Sequence, residues 1–317
     1  MSISTVTVVG ANGNLGGPVL KALVGAGKFR VSVLRRAAST SVVDGEKEGT
    51  VGILAVDEWT VENLAKALHG QDAVVVTFPL RDVTQHLALA EAAAAAGVRR
   101  YIPADFGSVD ARSARARQLV PLFEKKESVR HLLISLSAKN PSFTWTSIVG
   151  GHFFDWGLHK NFLHVNLDTK VSDVVLGDGN VGKSSLTTLA RYGEAVVRIL
   201  SRGADDEATK NRVLFIQSFN LSQNEVQAAV EKATGSVGQW KLTHIDTDEY
   251  IKERKIKADA GDLAAIEDLV FALGIIEGDW TTKGEEYAMD LLGFTDEDLD
   301  AEVAKVVAEH EYAAQAQ

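Results

Sequence analysis

Residues 6–16 read Val6-Thr-Val-Val-Gly10-Ala-Asn-Gly13-Asn-Leu-Gly16, an apolar run that ends in the pattern Gly-x-x-Gly-x-x-Gly. The run is typical of a buried strand, and residues 15–24 have the apolar spacing of a helix. In a dinucleotide-binding unit Gly10 allows the turn, Gly13 lets the backbone approach a diphosphate, and Gly16 lets the helix pack closely. The stretch therefore predicts a dinucleotide at the amino-terminal end of this helix, bound by Gly10, Asn12, Gly13, Asn14, Leu15 and Gly16.

Strand-like and helix-like segments alternate through the first half of the chain. The patterns predict strands at 6–9, 30–34, 51–56, 73–78, 100–103 and 143–149, and helices at 15–24, 61–68, 85–96 and 123–137. Nearly continuous apolar strands that alternate with helices are typical of a parallel sheet covered on both faces. Right-handed crossovers make this an α/β fold with a doubly wound parallel Rossmann sheet.

The end of the second predicted strand indicates which nicotinamide cofactor is bound. In an NAD site this strand ends in Asp or Glu, which accepts a hydrogen bond from the ribose 2′-hydroxyl. Here it ends in Arg35-Arg36, and a guanidinium offers a planar fork to a 2′-phosphate. A charge-assisted hydrogen bond contributes about 1.5–3 kcal/mol, which is enough to set the preference. We therefore predict NADP(H), with Arg35 and Arg36 among its binding residues.

The regular alternation of strands and helices ends near residue 150. Beyond it the sequence predicts a hairpin-like stretch at 170–176 with a turn at 177–180, and a strand at 213–218 that is a candidate to rejoin the main sheet. Further helices are predicted at 186–200, 223–233, 247–256, 263–273 and 285–292, with an acidic one from Asp296. We expect an NADP-binding Rossmann domain at 1–150 and a mostly helical substrate-binding region at 151–317.

Composition excludes several classes of protein. The 317 residues are 45% hydrophobic and 24% charged, which is ordinary for a globular enzyme. A net charge of −10 argues against a nucleic-acid surface, and the absence of cysteine excludes disulfides and thiolate chemistry. No basic-then-apolar leader opens the chain and no apolar run is as long as a membrane span, so we expect a cytoplasmic protein without membrane contact.

Two other patterns in the sequence have simpler structural interpretations. The stretch Gly177-Asp-Gly-Asn-Val-Gly182-Lys-Ser184 satisfies the P-loop pattern, but Ser172 and Asp173 interrupt the strand before it and no Asp-ended partner strand follows. A turn is the better interpretation. The histidines His152, His159 and His164 lack the spacing of a helical metal site and have no evident carboxylate partner, so no metal is expected.

Three stretches resemble one family: Gly10-Ala-Asn-Gly-Asn-Leu-Gly16, Val98-Arg-Arg-Tyr-Ile-Pro-Ala-Asp-Phe-Gly107 and Phe123-Glu-Lys-Lys-Glu-Ser-Val-Arg130. They resemble the NmrA-like, isoflavone reductase-like family of atypical short-chain reductases, and later stretches resemble its fungal branch. Where the plant members end the fifth strand with Pro-Ser-Glu-Phe-Gly, this chain has Pro103-Ala-Asp-Phe-Gly107. None of its five tyrosines is followed four residues later by lysine, so the usual short-chain reductase acid is missing.

The resemblance implies that Lys126 is the catalytic acid/base and also contacts the cofactor. The family's lysine stands four residues before the arginine of a Val-Arg pair, as Lys126 stands before Arg130. Lys125 is the residue that a one-residue misalignment would select. A free lysine exchanges protons poorly near neutral pH, but burial or a cationic nicotinamide lowers its pKa. Without the resemblance, a surface lysine in a charged helix is the simpler interpretation.

Further site residues follow only from the resemblance. The family's backbone passes the cofactor at the end of the fourth strand, here Thr77-Phe78-Pro79, and a glutamine opens the next helix in plant enzymes, as Gln85 does here. After the sixth strand the family places residues over nicotinamide and substrate. The substrate candidates are Phe106, His152, Phe153, Phe154 and Trp156, whose aromatic members suggest a flat apolar substrate; packing in a core is the alternative.

The leading hypothesis for function is an NADPH-dependent reductase that transfers hydride to a small aromatic or conjugated substrate, with a lysine as acid/base. One alternative is a non-catalytic NADP(H)-binding redox sensor of the NmrA regulatory kind, which contacts a protein partner. Another is an epimerase or isomerase that recycles its bound nicotinamide. The sequence leaves open the identity of the substrate and the oligomeric state, a homodimer included.

Overall fold

The computed structural model describes residues 2–180 and 182–315. The strands are β1 (Thr5–Val9), β2 (Arg30–Arg36), β3 (Val51–Val56), β4 (Ala73–Val76), β5 (Arg100–Ile102), β6 (Thr144–Val149), β7 (His152–Phe153), β8 (Val165–Asn166), β9 (Val171–Val174), β10 (Ser184–Thr187), β11 (Arg212–Phe215), β12 (Phe219–Leu221) and β13 (Lys241–His244). The helices are α1 (Gly16–Gly25), α2 (Val61–Leu68), α3 (Val83–Ala95), α4 (Ala114–Leu119), α5 (Pro121–Lys139), α6 (Phe154–His159), α7 (Leu189–Ser201), α8 (Gln223–Ala233), α9 (Thr247–Asp259), α10 (Leu263–Glu277), α11 (Met289–Leu292) and α12 (Leu299–Gln315).

The predicted doubly wound α/β fold is confirmed. Seven strands form one sheet in the order β11-β6-β5-β4-β1-β2-β3, and β1 to β6 pair in parallel. Every residue of β1 and β4 is buried, as expected for central strands covered on both faces. Near the predicted strand at 213–218 the structure has β11, which covers Arg212–Phe215 and lies beside β6 in this sheet.

The chain divides into two compact units, and each is discontinuous in sequence. The first comprises the described residues of Met1–Phe106, Pro121–Ile148 and Leu189–Leu214; the second comprises those of Gly107–Val120, Val149–Thr188 and Phe215–Gln317. The second segment of the first unit ends at Ile148, close to the predicted division at residue 150. Residues 189–214 nevertheless return to the first unit, where α7 packs against α1. The functional division at residue 150 stays a prediction.

Gly193 explains how α7 comes so close to α1. A Cβ added at this position would lie 2.8 Å from the Pro18 carbonyl oxygen and 2.9 Å from the Ala22 Cβ. Both distances are shorter than the normal contact between non-bonded heavy atoms. The absence of a side chain therefore sets the spacing of the two helices.

Gly193→Ala is expected to lower the free energy of unfolding by about 1–3 kcal/mol, the usual cost of overpacking a close contact. Urea unfolding of the variant and the parent protein measures the change. The matched control is Gly25→Ala at the end of α1, where an added Cβ meets nothing within 4 Å. Equal stability of the two variants would contradict the assigned role of Gly193.

The second unit contains two three-stranded sheets, ordered β12-β10-β7 and β13-β9-β8, with helices around them. One of its hydrophobic clusters includes Phe154, Leu158, Phe219, Val230 and Val303. The predicted hairpin at 170–176 is wrong in its pairing. The strand β9 pairs with β8 and β13, whereas β10, which follows the turn, belongs to the other sheet.

The predicted helix at 285–292 is interrupted. The structure has a 3-10 turn at Gly284–Glu286, extended backbone at Tyr287 and a short helix from Met289. The Ala288 amide donates to the Phe215 carbonyl over 2.8 Å, beside an isolated bridge between Phe215 and Tyr287. This long-range pairing takes backbone groups that a continuous helix would need.

The stretch with the P-loop pattern is a turn that enters a strand, since Ser184 begins β10. Gly177, Gly179 and Gly182 have positive φ, and Val181 lies outside the described residues. Among residues 2–180 and 182–315, no helix combines the length and the apolar character of a membrane span.

Candidate functional site

A cavity of about 200 Å³ lies beside the glycine turn in the first unit. It is formed where β1, β2 and β4 meet at the carboxyl edge of the sheet. Strand order reverses on either side of β1, and such a switch point is the usual ligand site of an open α/β sheet. The predicted residues that line the cavity are Gly10, Asn12, Gly13, Arg35, Phe78 and Pro79.

The conformation of the turn requires two of its glycines. Gly10 has φ +95°, and a Cβ there would lie 2.6 Å from the Phe78 backbone nitrogen. At Gly16 a Cβ would lie 2.0 Å from the Gly10 carbonyl oxygen. At Gly13 the contact would be an ordinary 3.4 Å, so the missing side chain there leaves room beside the cavity.

The remaining residues of the glycine turn differ in exposure. Asn12 and Asn14 are exposed, whereas Leu15 is buried. Leu15 is the N-cap of α1 and makes no side-chain capping bond. In the first turn of α1 the Gly17 amide already donates to the Gly13 carbonyl oxygen over 3.1 Å, and Pro18 has no N–H. The helix dipole still favours an anion at this position.

Arg35 lines the cavity and is held by an acid that the sequence analysis missed. Its Nη1 and Nη2 atoms donate to the Glu46 carboxylate over 3.0 and 2.8 Å, and Nη1 also donates to the Ser41 carbonyl oxygen. Glu46 accepts a further bond from the Val43 amide over 3.2 Å. The bonds from Arg35 hold the pKa of Glu46 below its usual value. No sequence motif links positions 35 and 46, so only the fold shows this pair.

Arg36 and Gln85 lie together on the same unit. The Arg36 guanidinium is 5.6 Å from the centre of the Trp59 ring, and its Nη2 donates to the Gln85 side-chain oxygen over 3.4 Å. The Trp59 indole nitrogen donates to the Gln85 carbonyl oxygen over 3.0 Å. Thr77 is buried and donates to the Val9 carbonyl over 3.0 Å, which ties the end of β4 to β1.

Lys126 is a buried residue of α5, with 7% of its surface exposed. Its Nζ donates to the Asp105 carbonyl oxygen over 3.1 Å and lies 3.5 Å from Asp105 Oδ1. Lys125 instead donates from a partly exposed position to the Arg81 carbonyl oxygen. The interpretation of Lys126 as a solvated surface lysine is therefore wrong.

Lys126 lies in a buried cluster of four charged side chains. Its cations are Lys126 and Arg130, and its carboxylates are Asp105 and Glu127. Asp105 Oδ2 accepts bonds from Arg130 and, over 2.6 Å, from the Ser147 hydroxyl, and Arg130 also donates to Glu127. Burial lowers the pKa of Lys126, and the nearby Asp105 carboxylate offsets only part of that effect. Burial by itself would raise the pKa of Asp105, but the charges of Arg130 and Lys126 hold it below its usual value.

A small cavity of about 10 Å³ touches Asp105, Lys126 and His86. His86 was not predicted, although it stands next to Gln85 on the same helix. Its ring stacks on Phe78 at 3.9 Å, and burial lowers its pKa to about 4. His86 therefore contacts the segment after β4 and lines the same small cavity as Asp105 and Lys126.

The substrate candidates do not share one environment. Phe106, in the first unit, is buried with its ring edge-on to Tyr192 at 5.6 Å. In the second unit Phe154 is fully buried and packs on Phe219 at 4.8 Å, so the alternative of core packing holds for it. Phe153 and Trp156 are half-buried.

His152 is a buried residue of the second unit. Its Nε2 lies 3.1 Å from the Phe271 carbonyl oxygen, and burial lowers its pKa to about 4. The ring occupies space that Gly274 provides, since a Cβ at Gly274 would lie 2.3 Å from the imidazole.

His164 corrects one expectation about the histidines. It does have carboxylate partners, because its Nδ1 lies 3.4 Å from Asp173 and its Nε2 lies 3.4 Å from Asp268. Asp173 lies nine residues away on β9 and Asp268 lies on α10, so the spacing of the histidines themselves reveals neither partner. Within the described ranges no group of three or more His, Cys, Asp or Glu side chains is arranged to hold a metal ion.

Comparison with known proteins settles the family. The model of the NmrA-like family matches residues 2–251. The chain belongs to the NmrA-like family. The oxidoreductase aprR of Aspergillus flavus is 34% identical over 247 residues, which cover 77% of this chain and 78% of aprR. An isoflavone reductase of Cicer arietinum is 25% identical over 279 residues, covering 81% and 82% of the two chains.

The NmrA-like fold is also found in solved structures. The structure of the binary complex of leucoanthocyanidin reductase with NADPH, from Vitis vinifera, superposes with a TM-score of 0.77 at 20% identity. The match covers 96% of this chain and all of that one. The resemblance stated from the sequence is thus confirmed, together with the fold that it implied.

Proposed function

We propose that this NmrA-like protein is an NADPH-dependent reductase of small aromatic or conjugated molecules. The observation that carries the proposal is that one edge of the sheet holds two features. The cavity at the glycine turn offers space for phosphate groups, and just beyond the carboxyl end of β5 Asp105 holds the buried Lys126 of α5. Relatives named oxidoreductase and isoflavone reductase support the same activity.

The residues at the glycine turn fit NADP(H). The Cβ-free position at Gly13 and the amino-terminal end of α1, which has no side-chain cap, suit a diphosphate, and Arg35 suits the 2′-phosphate. The cofactor-binding residues that we propose are Gly10, Asn12, Gly13, Asn14, Leu15, Gly16, Arg35, Arg36, Thr77, Phe78, Pro79, Gln85 and Lys126. The related structure with NADPH supports this assignment.

Lys126 is the proposed acid/base. When bound, the reduced nicotinamide supplies the hydride. Lys126 holds a proton at Nζ, where the Asp105 carboxylate favours the ammonium form and burial favours its release. A positioned acid of this kind contributes about 10²–10⁴ in rate. The burial of Lys126 beside a carboxylate favours an enzyme over a redox sensor, because a sensor needs no proton donor there.

We propose residues 151–317 as the region that selects the substrate, with His152, Phe153 and Trp156 as its candidate contacts. Phe106 is the candidate from the first unit. The burial of Phe154 in the hydrophobic cluster argues for a structural role of that ring.

NADPH oxidation with a panel of enones, imines and phenylpropanoids tests the proposed reductase. We expect at least one aromatic member to be reduced with stoichiometric loss of NADPH absorbance, and NADH to be less effective. Tight NADP(H) binding without turnover of any member would favour the sensor. Conversion of a substrate without net NADPH consumption would favour the isomerase.

A further inference from the structure

The ion pair with Glu46 uses only some of the hydrogen-bond donors of the Arg35 guanidinium. A guanidinium has five N–H donors. Four of them form two forks, one between Nη1 and Nη2 and one between Nε and Nη2, and the fifth is the outer hydrogen of Nη1. The fork between Nη1 and Nη2 faces the two Glu46 oxygens, and the other Nη1 hydrogen faces the Ser41 carbonyl. The second fork, formed by Nε and the outer hydrogen of Nη2, makes no hydrogen bond to any residue in the described part of the chain.

The pair is fixed to the loop that joins β2 to β3. Glu46 also accepts a bond from the Val43 amide, and both Val43 and Arg35 line the cavity at the glycine turn. The side chains of Arg35 and Glu46 are 22% and 20% exposed. Both side chains are therefore partly exposed and are screened by salt, but a carboxylate within a few ångströms still acts on any anion that binds at the second fork.

We propose that Glu46 is a specificity-determining residue that limits the preference of this site for NADP(H) over NAD(H). The inference rests on the proposed binding of the 2′-phosphate by Arg35. A phosphate at the second fork meets a neutral ion pair instead of a free cation, and it also lies near a carboxylate of its own sign. Both effects lower the affinity for the phosphorylated cofactor and leave the affinity for NAD(H) unchanged.

Glu46 has an opposing effect, because it also holds the guanidinium in place. Glu46→Gln separates the two effects. The amide oxygen of glutamine still accepts a bond from Arg35, so part of the positioning remains while the negative charge is removed. We therefore expect the loss of repulsion to dominate in this variant.

The experiment is calorimetric titration of NADP⁺, NAD⁺ and 2′,5′-ADP into the wild-type protein, Glu46→Gln and a control. The control is Glu48→Gln, which removes the same charge from an exposed position on the same loop. With Glu46→Gln we expect the Kd of NADP⁺ and 2′,5′-ADP to fall roughly three- to ten-fold, because the variant lacks one negative charge a few ångströms from the bound phosphate. The Kd of NAD⁺ is expected to stay the same, and the gain is expected to shrink in high salt.

Two results would overturn the inference while leaving the proposed function intact. An unchanged Kd for NADP⁺ in Glu46→Gln means that the charge has no effect on the phosphate, and a weaker Kd means that Glu46 mainly supports Arg35. A wild-type protein that binds neither dinucleotide overturns the proposed function and the inference together. Equal melting temperatures of the three proteins would show that any difference in Kd comes from binding and not from a loss of folding.

Discussion

Lys126→Ala is expected to lower kcat for NADPH-dependent reduction by roughly two or more orders of magnitude, because the variant lacks the proton donor. The Kd for NADP⁺ should change much less, since the phosphate cradle is untouched. Asp105 retains its bonds from Arg130 and Ser147 in this variant, so the cluster keeps a partner for its carboxylate. Stopped-flow measurement of single-turnover NADPH oxidation gives the chemical rate directly.

The matched control is Lys125→Ala, which removes the neighbouring, partly exposed lysine. Lys126→Arg is the second comparison, since an arginine keeps the charge but cannot release a proton, and it is expected to be as slow as Lys126→Ala. Near-normal rates in Lys126→Ala, or equal losses in the Lys125 and Lys126 variants, would exclude Lys126 as the acid.

The wild-type rate should also depend on pH. A general acid must carry its proton, so reduction is expected to slow as pH rises through the pKa of Lys126, which burial holds below the ordinary lysine value. This limb of the pH profile should be absent from Lys126→Arg.

Arg35→Ala is expected to weaken NADP(H) binding roughly ten-fold or more and to leave NAD(H) nearly unchanged, since one charge-assisted contact to the 2′-phosphate is lost. Calorimetric titration with both oxidised cofactors measures the two affinities. The control is Arg30→Ala at the opposite end of β2, where the side chain is exposed. Equal losses for both cofactors would show that Arg35 supports the loop and does not bind the phosphate.

The fold was predictable because its signals are local. The run from Val6 to Gly16 combines an apolar strand, a glycine turn and a helix start within eleven residues, and the structure requires Gly10 and Gly16 for steric reasons that the pattern already contains. The alternation of strands and helices then defined the parallel sheet. In the second unit the strands are two to four residues long, which is too short for any periodicity to appear.

The site was only partly predictable, since its partners are distant in sequence. Lys126 and Arg35 were identified from motifs, but Asp105 lies 21 residues before Lys126 and Glu46 lies 11 residues after Arg35. Both contacts depend on how strands and loops meet at the edge of the sheet. Phe154 shows the opposite problem, because a buried ring in a core and a ring over a substrate have the same sequence pattern.

A crystal structure of the protein grown with NADP⁺ tests directly whether the glycine turn and Arg35 bind this cofactor. We expect the diphosphate against the backbone of Gly10–Gly16 and the 2′-phosphate within hydrogen-bond distance of Arg35 Nε and Nη2. A dinucleotide bound elsewhere, or a 2′-phosphate directed away from Arg35, would contradict this assignment.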